Sequence, residues 1–153
     1  MVENEIDAFV LFHDDSHMSE YIAACDERIA FISGFKGSNA ACVVTQDEAL
    51  MWTDSRYWLA ATKELHEGWT FKKMGPDAPW FSWVAENLKG ESKVVGWDWS
   101  QYDVSRFDMR KKFFDGKGVT VKSVDNLVDA VWGARRPERP LKNVFVLEEK
   151  YSG

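Results

Sequence analysis

Short apolar runs alternate with helical patterns from one end of this chain to the other, and no apolar run exceeds strand length by much. That rhythm is the strongest constraint on the fold. A strand buried on both faces reads as a short continuous apolar run, and the helix between two such strands covers a face of the sheet. "DAFVLFH" (Asp7 to His13), "AACVVT" (Ala40 to Thr45), "ALMWT" (Ala49 to Thr53), "WTFKKMG" (Trp69 to Gly75), "KVVGWD" (Lys93 to Asp98) and "VTVKSV" (Val119 to Val124) are the expected strands. Only "QDE" separates the second from the third, which predicts an antiparallel hairpin and therefore a mixed sheet. The class implied is α/β: a three-layer domain with helices on both faces of one sheet.

The helices are expected between these runs. "EYIAACDERIAFISGF" places Ile22, Cys25, Ile29 and Ile32 at helical spacing, with Gly34 as a stop signal. A helix from Ser55 to His66 would bury Trp58, Ala61 and Leu65, with Asp54 as its N-cap. "APWFSWVAENLKG" starts at Pro79, ends at Gly90 and turns Trp80, Val84 and Leu88 to one side. "DVSRFDMRKKFFDGKG" groups Val104, Phe107 and Phe114. "DNLVDAVWGA" buries Leu127, Val128, Val131 and Trp132, and Pro137 and Pro140 end the pattern.

Length and charge narrow the function classes. A domain of 153 residues has a substantial core, burying roughly 68–70% of its unfolded surface. Eight Trp and ten Phe imply either a Trp-rich core or some rings that lie under a partner. The net charge of −6 argues against a nucleic-acid partner, which needs a basic face. The basic runs Arg110 to Lys112 and Ala134 to Arg139 are flanked by acids and read as solvated faces. Cys25 and Cys42 match no zinc or redox spacing and read as buried free thiols of a reducing compartment. With no signal-like start and no run near the 18 or so residues of a membrane span, a cytoplasmic protein without a membrane partner is expected.

Chemistry-bearing motifs are sparse. His13 and His17 lie four apart, but His13 ends a strand, so helical-face metal geometry fails, and no third ligand accompanies them. "GFKGSN" lacks phosphate-loop spacing and precedes a strand. It is either a tight loop needing positive φ at glycine or a ligand-approach loop offering Lys36, Ser38 and Asn39 as donors. Arg56 stands at the strand-to-helix corner "TDSRY". Its planar fork suits carboxylates and carbonyls, but on spacing alone the reading to prefer is a surface ion pair with Asp54 or Glu48. No nucleophile–base pair can be built from three scattered histidines.

Three segments together carry a family resemblance. Ser19 to Ala23 (Ser-Glu-Tyr-Ile-Ala), Ser33 to Ser38 (Ser-Gly-Phe-Lys-Gly-Ser) and Trp52 to Tyr57 (Trp-Thr-Asp-Ser-Arg-Tyr) occur in the order and spacing of the cytosolic, eukaryotic-type Xaa-Pro aminopeptidases. "NLVDAVWGARRPERP" resembles the stretch that closes their first domain. The resemblance implies a creatinase-type N-terminal domain over residues 1–141, with a ribonuclease H-like mixed sheet of about six strands. Residues 142–153 would connect to a following pita-bread catalytic domain. That domain would hold two metal ions, usually manganese, on two Asp, one His and two Glu, motifs this chain lacks, so the chain alone is expected to show no turnover.

The implied substrate is a peptide with proline in second position, and the implied assembly a homodimer. Arg56 maps onto the family's peptide-contacting Arg, with Asp54 and Tyr57 beside it. The loop Phe35, Lys36, Ser38 and Asn39 matches one that approaches substrate in related creatinases. The alternative implied by the same likeness is a non-catalytic peptide- or histone-binding module, as in the large subunit of the FACT chaperone.

Overall fold

The computed structural model describes residues 1–88, 92–143 and 145–151. Six strands form one sheet: β1 (Ala8–Phe12), β2 (Ala40–Val44), β3 (Ala49–Thr53), β4 (Trp69–Lys73), β5 (Lys93–Trp97) and β6 (Val119–Ser123), in the order β4-β3-β2-β1-β5-β6. β2 and β3 make the expected antiparallel hairpin, Ala40 facing Thr53 and Val44 facing Ala49. Its turn is closed by Thr45 N–H to the Glu48 carbonyl at 2.8 Å, while the Thr45 hydroxyl accepts from the N–H of Asp47 and Glu48. β2 also runs antiparallel to β1, and every other pairing is parallel. The sheet is mixed because one strand, β2, runs against the rest.

Period-two alternation divides the core. Ala8 and Val10 point to one face, where they meet Val43, Trp52 and Trp97 beneath α3 (Trp80–Asn87) and α4 (Val104–Asp115). Phe9 and Leu11 point to the other, with Cys42 and Met51 beneath α1 (Arg28–Ser33), α2 (Trp58–Glu64) and α5 (Leu127–Trp132). The three layers are those read from the sequence. The aromatics are mainly core: Trp52, Trp80, Trp97 and Trp132 are buried, and Trp99, the exposed one among the eight, leans on Phe107 at 4.6 Å. Cys25 and Cys42 are buried free thiols, and full burial pushes the Cys42 thiol well above its ordinary range.

Four expectations need correction. The helix over "EYIAACDERIAFISGF" is only α1, preceded by a 3-10 turn at Ala24–Asp26. The chain breaks there because the Asp26 carboxylate turns inward to collect arginines. Val104 and Val131 are exposed rather than packed. Val104 opens α4, and the packed face of that helix runs through Phe107, Arg110 and Phe114. α5 has six residues and buries Val128 and Trp132. Arg136 and Arg139 do not form a solvated basic face but clamp Asp26. The Gly90 stop signal lies outside the described residues. Gly34 does end α1 in the left-handed conformation, and Pro79 stands at the N-cap of α3.

Candidate functional site

Because all strands but β2 are parallel, the carboxyl ends of five strands and the start of β2 gather along one edge of the sheet. Ligands of open α/β sheets bind outside such an edge. His13 follows β1 here, Asp54 follows β3, Met74 follows β4, Asp98 follows β5, and Asn39 leads into β2.

The corner after β3 is built around the Asp54 carboxylate. Oδ1 accepts the Arg56 backbone N–H at 3.0 Å, the N-cap bond that starts the 3-10 turn Ser55–Tyr57. The same carboxylate takes the Arg56 guanidinium as a two-pronged pair, Nε to Oδ1 and Nη2 to Oδ2, both at 2.9 Å. Asn39 Nδ2 adds a fourth donor, to Oδ2 at 2.7 Å. Of the two acids the sequence offers to Arg56, Asp54 is its partner. The guanidinium also lies 5.1 Å from the Tyr57 ring centroid. Tyr57 Oη and Ser38 Oγ share a hydrogen bond of 2.7 Å, and the Thr53 hydroxyl donates to the Asn39 carbonyl at 2.6 Å.

Arg56, Asp54, Tyr57, Ser38 and Asn39 therefore form one connected group. Lys36 and Phe35 stand apart from it. The Lys36 backbone N–H is spent on Glu64, and Phe35 is 1% exposed, packed edge-on under Tyr57 with centroids 5.9 Å apart. Phe35 supports the loop from below. Of the loop's two glycines, only Gly34 has positive φ. Gly37 is needed for close approach, since a Cβ there would come within 2.2 Å of the Phe35 ring.

Despite its bonds the Arg56 side chain is 64% exposed. Its pairing uses Nε and Nη2 and leaves the Nη1 donors for an incoming acceptor. A fixed fork that keeps free donors loses less conformational freedom on binding than a loose side chain would. The corner can orient a carbonyl or carboxylate, and it contains no nucleophile–base pair. Among the described residues no group of three or more His, Cys, Asp or Glu is placed to hold a metal ion, so the implied metal pair does not fit these residues.

The Arg56 guanidinium holds the Asp54 carboxyl well below the usual carboxylate range, against the opposing effect of burial. A depressed folded-state pKa contributes stability that is fully present above the unfolded value of about 3.9 and is lost as pH falls through the folded value. The clamp should therefore stay closed throughout the neutral range and open only in acid below that window. The Arg56 Nε–H resonance, followed by NMR down the pH scale, should stay put until then; movement near neutral pH would show that Asp54 does not hold it.

Sequence reasoning missed Arg106 and Arg110. Both line a second recess on the same edge, beside Asn39 and Met74. The signal was available, because Phe107, Arg110 and Phe114 share one helical stripe.

The Creatinase/Prolidase N-terminal domain model matches residues 1–131. The chain is 45% identical to the probable Xaa-Pro aminopeptidase P of Coprinopsis cinerea, with all of this chain aligned to 25% of that protein. It is 46% identical to the Neurospora crassa counterpart, covering 23% of it. It thus spans about a quarter of the length of the curated relatives it matches. The X-prolyl aminopeptidase of Caenorhabditis elegans, a cytosolic enzyme with a di-nuclear active site, superposes with a TM-score of 0.81 at 37% identity, over 87% of this chain and 22% of that one. The aminopeptidase P structure from Streptococcus thermophilus, at 22% identity and TM-score 0.61 over 85% of this chain and 88% of that one, shares the fold.

Proposed function

The chain belongs to the Creatinase/Prolidase N-terminal domain family, and on that premise we propose that it is the non-catalytic first domain of an Xaa-Pro aminopeptidase. It holds the peptide while a following pita-bread domain, joined through residues 142–153, removes the residue before proline. The observation that carries this reading is the exposed guanidinium of Arg56, pinned on the carboxyl edge of the sheet by the two-pronged bond to Asp54. Arg56 receives a peptide carbonyl, Asp54 and Asn39 fix the fork, and Tyr57 and Ser38 hold the corner's shape.

The hydrolytic machinery, with two metal ions of which manganese is the expected kind, belongs to the following domain. Cytoplasmic residence and a homodimer complete the proposal. The cytosolic Caenorhabditis elegans relative supports the former.

The test is kinetic, in the protein that carries both this chain and its following domain. Arg56→Ala should lower kcat/KM for an Xaa-Pro peptide roughly 10- to 150-fold, the equivalent of one desolvated charge-assisted hydrogen bond. Thermal stability should hold, because the side chain is exposed. Arg56→Lys should recover little of the loss, since a point charge cannot pair with Asp54 and the peptide at once. Unchanged kinetics in Arg56→Ala would reduce the corner to a surface ion pair.

A further inference from the structure

We propose that the recess next to the Arg56 corner is a carboxylate subsite, receiving an acidic group on the far part of the peptide whose backbone Arg56 holds. The identity of the ligand as a peptide rests on the function proposed above. The recess itself rests on its own geometry.

It has a volume of about 270 Å³ and opens on the carboxyl edge of the sheet. Asn39 belongs both to its wall and to the corner: its Nδ2 binds Asp54 and lies 3.9 Å from the sulfur of Met74, another wall residue. The recess therefore adjoins the corner along this edge.

The floor is aromatic. Phe12 stacks on Tyr102 with centroids 4.3 Å apart and meets Trp80 edge-on at 5.3 Å. Two guanidinium groups come from α4, at positions four apart, which places successive side chains on one face about 5–6 Å from each other at Cβ. Arg110 lies over Phe81, its central carbon 3.8 Å from the ring centroid. Its Nε is buried and, among the described residues, has no hydrogen-bond partner. A buried unpaired donor on a charged group is costly unless something completes it. The Arg106 guanidinium stands 4.0 Å from Asp14 Oδ2, and it also acts on the Asp103 carboxylate.

The charges facing the recess are Arg106, Arg110 and Asp14, with His13 at the lip. Burial pushes the Asp14 carboxyl upward, against the pull of Arg106. Among the side chains that line it, two guanidinium groups face one carboxylate on an aromatic floor, with Asp15 and Asp103 behind Asp14. That matches a single carboxylate better than a phosphate, which carries more charge than this recess neutralises.

Nitrogen–proton NMR titrations of the chain test the subsite. The probes are Ala-Pro-Gly-Gly-Gly as the free acid, the same peptide as its C-terminal amide, and an amide ending in Glu. A carboxylate-bearing probe should move the Arg106 and Arg110 Nε–H signals and the Asn39 and Tyr102 amides. It should bind about tenfold more tightly than the plain amide, as one added charge-assisted hydrogen bond allows. Arg106→Gln, at an exposed position, should abolish that preference, and Asp14→Asn should increase it.

Preference for either carboxylate that is lost in Arg106→Gln supports the subsite and tells whether it reads the chain terminus or a side chain. Binding of both carboxylate-bearing probes no tighter than that of the plain amide, or a preference that survives Arg106→Gln, overturns it. The two proposals separate in the same spectra. An Arg56 signal that responds to every peptide while the recess stays silent defeats the subsite alone. A responding recess beside a silent Arg56 defeats the peptide-holding reading alone.

Discussion

Asp26→Asn should destabilise the folded chain by about 3–5 kcal/mol, the range for removing one partner from a buried ion pair. The urea midpoint should fall while the slope stays unchanged. Asp26 is 4% exposed and Arg28 3% exposed. One carboxylate serves three guanidinium groups: Arg28 Nη1 at 3.2 Å, Arg136 Nη2 at 3.3 Å, and Arg139 Nη2 at 3.0 and 3.1 Å from the two oxygens. Asp129 shares part of the load, accepting Arg28 Nε at 2.6 Å and Arg136 Nη1 at 2.7 Å. Asparagine keeps the volume and loses the charge, so three cations would be left around one acid.

The exposed end of the network sets the contrast. Arg139 is half exposed, and Arg139→Ala should cost only about 0–1 kcal/mol, as surface pairs do. A loss in Asp26→Asn no larger than that in Arg139→Ala would show that water screens the whole cluster. The network has a structural consequence as well. Arg136 donates Nε to the Cys25 carbonyl at 2.7 Å, so the segment after α5 is tied to the turn before α1. These contacts span the domain from one end of its sequence to the other.

That separation explains why this network was invisible to local reading. A helical stripe or an alternating strand is a pattern within ten or so residues, and apolar periodicity led to all six strands and to the hairpin. The N-cap at Asp54 is equally local, since its acceptor and its donor lie two residues apart. Asp26 and Arg139 are 113 residues apart, and nothing in either neighbourhood announces the other. Their pairing also overrode a local signal, because Ile22 and Cys25 continue the helical spacing into a stretch where the buried carboxylate forces a turn.

The corner divides in the same way. Arg56, Asp54 and Tyr57 were legible because they are contiguous. The bonds from Ser38 and Asn39 depend on β2 pairing with β3, which sets Ala40 opposite Thr53 and brings the loop over the corner. Phe35 was read as a contact residue from its place in the loop, while its burial depends on packing that local sequence does not carry. Arg110 was misplaced for the opposite reason: a basic run reads as solvated, yet the aliphatic and planar parts of an arginine pack on aromatic rings while the charge finds a cleft.

Gly34→Ala should cost about 2–5 kcal/mol, the sum of left-handed backbone strain of about 1–2 and overpacking of about 1–3. The backbone at Gly34 has φ +83°, and an added Cβ would lie 2.5 Å from the Glu64 carbonyl oxygen and 2.6 Å from His66 Nε2. The His66 ring can turn aside, but the Glu64 carbonyl is backbone and cannot yield easily. Glu64 ends α2, and the His66 N–H is bonded to the Ser33 carbonyl at 2.8 Å. The methyl group would pry the end of α1 from the end of α2, and the loop carrying Ser38 and Asn39 is suspended between them. The loss should therefore appear twice, as a lower unfolding midpoint and as a broadened Arg56 Nε–H signal once Asn39 no longer steadies Asp54. Gly68 separates strain from contact, because its φ is +90° with nothing within 4 Å of an added Cβ. Gly68→Ala should carry the strain alone, about 1–2 kcal/mol, and leave the Arg56 signal untouched. Equal losses at the two positions, with a sharp Arg56 signal in both, would mean that Gly34 serves only its own backbone angle and that the corner does not depend on how α1 meets α2.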